Sequence, residues 1–192
     1  MSVNTAPSNL LCNQDDSVLL IIDIQTRLTA TMPINVLARL KRNSQLLINA
    51  AKILEIPVFV SEQYPKGLGP LEPEITELLP ENTRKFEKTC FSCAGAENFI
   101  DQLTQTGRKQ VILAGIEAHV CILQTAFDLK NTGYDIFVAV DCVCSRNREN
   151  YENALYRMSR SGINMSSTES IIFEWLKDAK HDKFKDVSAL IK

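Results

Sequence analysis

Three side chains with complementary chemistry stand at points where this chain changes direction. Cys121 closes the stretch Val111-Ile112-Leu113-Ala114-Gly115-Ile116-Glu117-Ala118-His119-Val120-Cys121, which reads as a buried strand, a turn around Gly115 and the entrance of a helix. Unpaired backbone N–H groups and the positive end of the helix dipole favour a thiolate at such an entrance, and the thiolate is the form that attacks carbon. Asp23 follows the apolar run Val18-Leu19-Leu20-Ile21-Ile22, and Lys88 lies within Lys85-Phe86-Glu87-Lys88-Thr89-Cys90-Phe91-Ser92. A nucleophile, a proton acceptor and a cation thus arrive from three separate segments. Each has a plainer reading alone: an aspartate capping a turn, a solvated lysine, a small buried thiol. Their joint placement at strand and helix ends is what points to catalysis.

The elements that must position them follow from periodicity. Residues 18–24 are apolar and β-branched up to Asp23, as in a strand buried on both faces of a parallel sheet. Ile34, Leu37, Leu40, Leu46, Leu47 and Ala50 recur at helical spacing between Pro33 and Pro57, and Val58-Phe59-Val60 is the next strand. Residues 63–82 hold Pro65, Gly67, Gly69, Pro70, Pro73 and Pro80, a composition for turns and a candidate lid. A helix is expected over Ala94–Leu103, a strand over 111–115, a helix from about Val120 to Asn131, and a strand Ile136–Val140 ending at Asp141. A helix over 148–161, a short strand at Asn164–Ser167 and a helical tail over 168–191 complete the chain. This alternation predicts an α/β fold with a mostly parallel central sheet and helices on both faces. In such sheets ligands sit beyond the carboxyl ends of the strands, where Asp23 and the segment before Cys121 both fall.

Composition limits the function classes. At 192 residues with 45% hydrophobic content, residues 17–192 are expected to form a single domain, preceded by a flexible lead-in over 1–16. A formal net charge of -2 and scattered basic residues offer no face for a phosphate backbone, so no nucleic-acid partner is expected. No signal-peptide pattern opens the chain and no apolar run approaches the roughly 18 residues of a membrane span, which favours a cytoplasmic protein without membrane contact. The six cysteines are read as reduced thiols, because a core of this size needs no disulfide framework.

The motifs Ile22-Asp23-Ile24-Gln25, Lys88-Thr89-Cys90-Phe91-Ser92 and Gly115-Ile116-Glu117-Ala118-His119-Val120-Cys121 with Thr125-Ala126 beyond, in that order, resemble the isochorismatase-like hydrolase family. The resemblance runs from about residue 17 to 177 and continues through Gly133-Tyr134, Asp141 and Ser145-Arg146. Glu62-Gln63-Tyr64-Pro65-Lys66-Gly67-Leu68-Gly69 looks like the subgroup of isochorismatase domain-containing proteins. It implies a three-layer α/β/α sandwich, a triad of Asp23, Lys88 and Cys121, a cis peptide at Ile116–Glu117 and a homo-oligomer such as a dimer or tetramer. In the implied mechanism Asp23 takes the Cys121 proton and Lys88 pairs with Asp23 and favours the thiolate. Backbone N–H groups of the turn containing Ile116, Glu117, Ala118 and Val120 hold the oxyanion. Gln25, Gln63, Tyr64, Phe91 and His119 are the expected walls of a pocket for a small-molecule substrate.

The family's nicotinamidases hold a metal through an Asp-x-His-Pro segment where this chain has Glu62-Gln63-Tyr64-Pro65, and only His119 and His181 are present. No metal and no cofactor are therefore expected. Retention of Cys121 leans toward cleavage of a small amide through a thioester, the vinyl-ether hydrolases of the family having no need of the sulfur. The alternative is a catalytically weak domain that binds a small ligand or a protein. Cys90-x-x-Cys93 with Cys142-x-Cys144 has the wrong spacing for a four-sulfur zinc site. His119 is two residues from Cys121 and so does not face it on a helix.

Overall fold

The computed structural model describes residues 10–191. Chain order is β1 (Ser17–Ile22), α1 (Thr26–Thr29), α2 (Ile34–Ile53), β2 (Val58–Gln63), α3 (Pro65–Leu68), α4 (Pro73–Thr76), β3 (Arg84–Lys88), α5 (Phe99–Thr104), β4 (Gln110–Ile116), α6 (Leu123–Asn131), β5 (Asp135–Cys144), α7 (Arg148–Arg160), β6 (Asn164–Ser166), α8 (Thr168–Leu176) and α9 (Phe184–Ser188). A 3-10 turn, Cys93–Gly95, precedes α5, and a π-helical turn, Ala118–Ile122, leads into α6.

The strands form one sheet in the order β3-β2-β1-β4-β5-β6, with every pairing parallel. Successive residues of a strand point to opposite faces, so β1 supplies two cores at once. Leu19 and Ile21 pack with Leu40, Leu47 and Ile48 of α2 and Ile171, Ile172 and Trp175 of α8. Val18, Leu20 and Ile22 pack with Phe99 and Leu103 of α5, Ala126 and Leu129 of α6, and Ala154 and Met158 of α7. The result is the three-layer α/β/α sandwich, and the double burial explains why β1 and β4 read as unbroken apolar runs.

Strand order reverses between β1 and β4, which opens the crevice that such folds use for ligands. Gly115 makes their approach possible. It lies within β4, opposite Ile22, at φ 130°, and a Cβ there would stand 2.0 Å from the Ile22 carbonyl oxygen. The turn expected around Gly115 therefore comes later, at the cis peptide Ile116–Glu117.

Other boundaries move for physical reasons. β3 is an edge strand with only Phe86 and Lys88 buried, so its charged residues hide it from a search for apolar runs. β5 continues beyond Asp141 to Cys144, because its pairing with β4 slips between Leu113 and Gly115. Segment 63–82 contains two single-turn helices, each opened by a proline at its first position. The helix expected from Ala94 begins only at Phe99, and the tail over 168–191 breaks after Leu176, where Lys177 takes φ 57°. Of the lead-in, residues 1–9 lie outside the described residues. Residues 10–16 are held in place: Cys12 is buried and its N–H donates to Glu174, and the Asn13 N–H donates to the Gln110 side chain.

Candidate functional site

Asp23, Lys88 and Cys121 meet at the carboxyl ends of β1, β3 and β4. Asp23 leaves β1 at φ 52°, and its N–H bonds the Ser61 carbonyl of β2 at 3.1 Å, which turns the carboxylate inward. It is fully buried. Its Oδ2 accepts from Lys88 Nζ at 2.7 Å, and its Oδ1 accepts from the Ser61 hydroxyl at 2.7 Å. Both side chains of the ion pair are 0% exposed. A lysine ammonium has three N–H bonds, and Lys88 places the other two on Gln63 Oε1 at 2.7 Å and the Phe91 carbonyl at 3.1 Å. Burial works to lower the Lys88 pKa, but the Asp23 carboxylate together with the neighbouring Cys93 and Cys121 outweighs it and holds the ammonium above the ordinary lysine value.

Cys121 sits in the π-helical turn, 6% exposed. The expectation of a resting thiolate is overturned. Burial first, and then the Asp23 charge, push the thiol well above its ordinary pKa, and Lys88 reduces the rise without reversing it. Burial outweighs what the helix entrance and Lys88 offer the sulfur, so Cys121 rests as a thiol beside the Asp23–Lys88 ion pair.

The expected pocket walls divide. Gln25 is fully buried and its side chain is committed: Nε2 donates to the Gln63 and Gly69 carbonyls, and Oε1 accepts from the Gln63 N–H at 2.7 Å. Gln63 is likewise committed, accepting from Lys88 and donating to the Thr89 carbonyl at 2.7 Å. Both glutamines brace the site instead of touching a ligand. Tyr64 and Phe91 are about half exposed. Tyr64 and Lys88, with Pro65, Lys66, Glu87 and Thr89, border a cavity of about 340 Å³. His119 is half-buried, with Nδ1 3.0 Å from the Ser145 hydroxyl, so it ties the turn to the end of β5.

The turn residues also divide. The Val120 N–H is spent on the Glu117 carbonyl at 3.0 Å, and Ile116 lies within β4, so neither has a free amide for an oxyanion. Glu117 uses its carboxylate to accept from the Arg146 backbone at 2.9 Å and side chain at 3.1 Å. The amides of Ala118 and His119 have no partner among the described residues.

Sequence reasoning missed Ser61 altogether and gave Cys93 and Thr125 no place beside the triad. Cys93 donates its N–H to Thr125 Oγ1 at 2.9 Å and its thiol to Ser61 Oγ at 3.4 Å. The usable signal was a serine inside the otherwise apolar start of β2. Larger cavities of about 520 and 480 Å³ lie elsewhere and include none of the triad. Cys93 belongs to the core on one face of the sheet and Cys142 and Cys144 to that on the other, so they share no metal site. Among the described residues no group of three His, Cys, Asp or Glu side chains could hold a metal ion. Glu62 and Tyr64 stand where the nicotinamidase segment has its Asp and His donors; Glu62 Oε1 accepts from the Leu71 N–H at 2.7 Å, and Tyr64 offers a phenol in place of an imidazole. No helix among the described residues is long and apolar enough to cross a membrane.

Comparison with known proteins agrees with this geometry. Residues 17–170 match the isochorismatase domain model. Isochorismatase domain-containing protein 2 of Danio rerio is 38% identical over 176 residues, covering 91% of this chain and 86% of that protein. A solved structure of MAR1 ribonuclease from Caenorhabditis elegans superposes with a TM-score of 0.89 at 39% identity, covering 94% of this chain and 92% of that one. YcaC from Pseudomonas aeruginosa, solved with covalent acrylamide, shares the fold at a TM-score of 0.86 and 23% identity, covering 100% of this chain and 92% of that one.

Proposed function

Because this chain belongs to the isochorismatase family, we propose that it is a metal-independent cysteine hydrolase that cleaves a small amide or related carbonyl compound through a thioester on Cys121. One observation carries the reading: three chemically complementary groups from distant segments converge in a buried site, with Lys88 and Asp23 2.7 Å apart and the Cys121 thiol against the same carboxylate.

Asp23 takes the thiol proton as sulfur bonds to the substrate carbonyl carbon. The carbonyl oxygen becomes an oxyanion, which the free Ala118 and His119 amides are available to hold. The proton then passes from Asp23 to the leaving nitrogen as the C–N bond breaks, leaving an acyl-thioester and a free amine. Water, deprotonated by Asp23, attacks the thioester, and the released thiol recovers that proton. Lys88 has every N–H committed, so its part is a fixed positive charge that pairs with Asp23 and holds it in place. Tyr64, which borders the cavity beside Lys88, and the half-exposed Phe91 are the proposed walls of the substrate pocket. Assembly as a homo-oligomer belongs to the same proposal.

The Caenorhabditis elegans neighbour suggests RNA cleavage as a second reading. Against it stand the net charge of -2 and the commitment of all three Lys88 N–H bonds within the protein. A screen of small amides and esters, with intact-mass detection of acylated protein and a labelled RNA in parallel, separates the readings. The expected result is an adduct on Cys121 and turnover, both lost in a folded Cys121→Ala variant. Hydrolysis retained in that variant would sink the mechanism.

A further inference from the structure

A layer of buried polar groups behind the triad has no part in the steps above. Ser61 of β2 is fully buried and donates to Asp23 Oδ1 at 2.7 Å, leaving Oδ2 to Lys88. The Cys93 thiol, also fully buried, reaches Ser61 Oγ at 3.4 Å, while the Cys93 N–H bonds Thr125 Oγ1 at 2.9 Å. Thr125 lies one helical turn beyond Cys121 on the same face. Hydrogen bonds therefore run from the helix that carries the nucleophile, through the loop after Lys88, to the carboxylate.

A hydroxyl has one proton and can aim it at Asp23 or at the Cys93 sulfur, but not at both. A carboxylate is much the stronger acceptor, and a thiol that keeps its own proton has it to give to Ser61. Burial pushes Cys93 up to about 11, so it stays a thiol at neutral pH. Resting on the hydrolytic reading above, we propose that Ser61 is a positioning residue that fixes the Asp23 carboxylate for proton transfer from Cys121, and that Cys93 keeps the Ser61 proton aimed at Asp23. The titratable groups facing Asp23 are Lys88 from β3, Cys121 from the π-helical turn and Cys93 from the 3-10 turn. Without the Ser61 donor the Asp23 carboxylate keeps Lys88 but loses the hydrogen bond that fixes Oδ1, so it is free to turn away from the Cys121 thiol.

The test is the pH dependence of Cys121 alkylation by iodoacetamide, followed by peptide mass spectrometry. Ser61→Ala is expected to shift the profile down, lowering the rate at neutral pH by about tenfold. Ser61→Thr, which keeps the hydroxyl, is expected to restore the wild-type rate. Cys93→Ala gives a smaller shift in the same direction and carries the test if Ser61→Ala does not fold. Profiles of Ser61→Ala and Cys93→Ala that superimpose on wild type, while Asp23→Asn changes the profile, overturn the proposal and leave the triad standing. A profile unchanged even in Asp23→Asn overturns the hydrolytic reading itself.

Discussion

Two aspartates that look alike in the sequence end up in different chemistry. Asp23 and Asp141 each follow a run of five apolar residues or nearly so, and each has cysteine and hydroxyl groups nearby. Asp23 receives a buried ammonium and a serine hydroxyl. Asp141 receives only neutral donors: Asn43 Nδ2 at 2.9 Å from α2, and the Thr168 N–H and hydroxyl, both at 2.9 Å, at the start of α8. Its neighbour Cys142 lies inside β5, fully buried, with its sulfur 3.0 Å from Thr168 Oγ1. Asp141 is a clamp joining α2, β5 and α8. An aspartate beside a thiol is therefore insufficient for the proposed chemistry. A cation paired with the carboxylate and a sulfur at the mouth of a helix distinguish the first cluster from the second.

The largest predicted difference between the clusters is in stability. Lys88→Met leaves Asp23 buried and unpaired, and urea unfolding is expected to show a loss of about 3–5 kcal/mol. Asp141→Asn disturbs only hydrogen bonds from neutral donors and is expected to cost about 1–3 kcal/mol by the same measurement. Equal losses would mean that the buried charge pair is not what sets the two apart.

Alkaline pH gives the next largest effect, and it bears on both clusters. Cys93 is raised from 9.0 to about 11 by burial and then by Asp23, whereas an unfolded chain ionises it near the ordinary value. A group whose folded pKa is raised contributes stability that is complete below its unfolded pKa and is lost as pH rises toward the folded one. Between pH 9 and about 11 Cys93 therefore forfeits roughly 2–3 kcal/mol, and Cys93→Ala is expected to remove that part of the slope. Cys142 and Cys144, raised to about 12 mainly by burial, extend the decline further. Urea midpoints at pH 8 to 11 that do not fall would contradict buried, protonated thiols.

The parts of the site legible in the sequence are those encoded locally. Asp23 and Cys121 adjoin unbroken apolar runs, and such runs mark strands buried on both faces, whose ends line the crevice. Lys88 was recognisable only with its motif, because β3 alternates exposed charges with buried Phe86 and Lys88 and presents no apolar run. The roles of Gln25 and Gln63 were illegible for another reason: their mutual hydrogen bonds depend on β1 and β2 lying side by side in register, which neither segment encodes alone. The state of Cys121 was misread because a helix entrance can be seen in a sequence, whereas burial beside a carboxylate arises only on folding.

The most direct test of the central claim, that Cys121 rests as a thiol and is activated by Asp23, is its alkylation rate against pH in wild type and Asp23→Asn. The account predicts a wild-type rate that is nearly flat across neutral pH, because Asp23 accepts the proton as sulfur attacks, and an Asp23→Asn rate that climbs with pH as thiolate forms. A wild-type Cys121 that titrates like a free thiol near pH 8.5, with Asp23→Asn following the same curve, would contradict it.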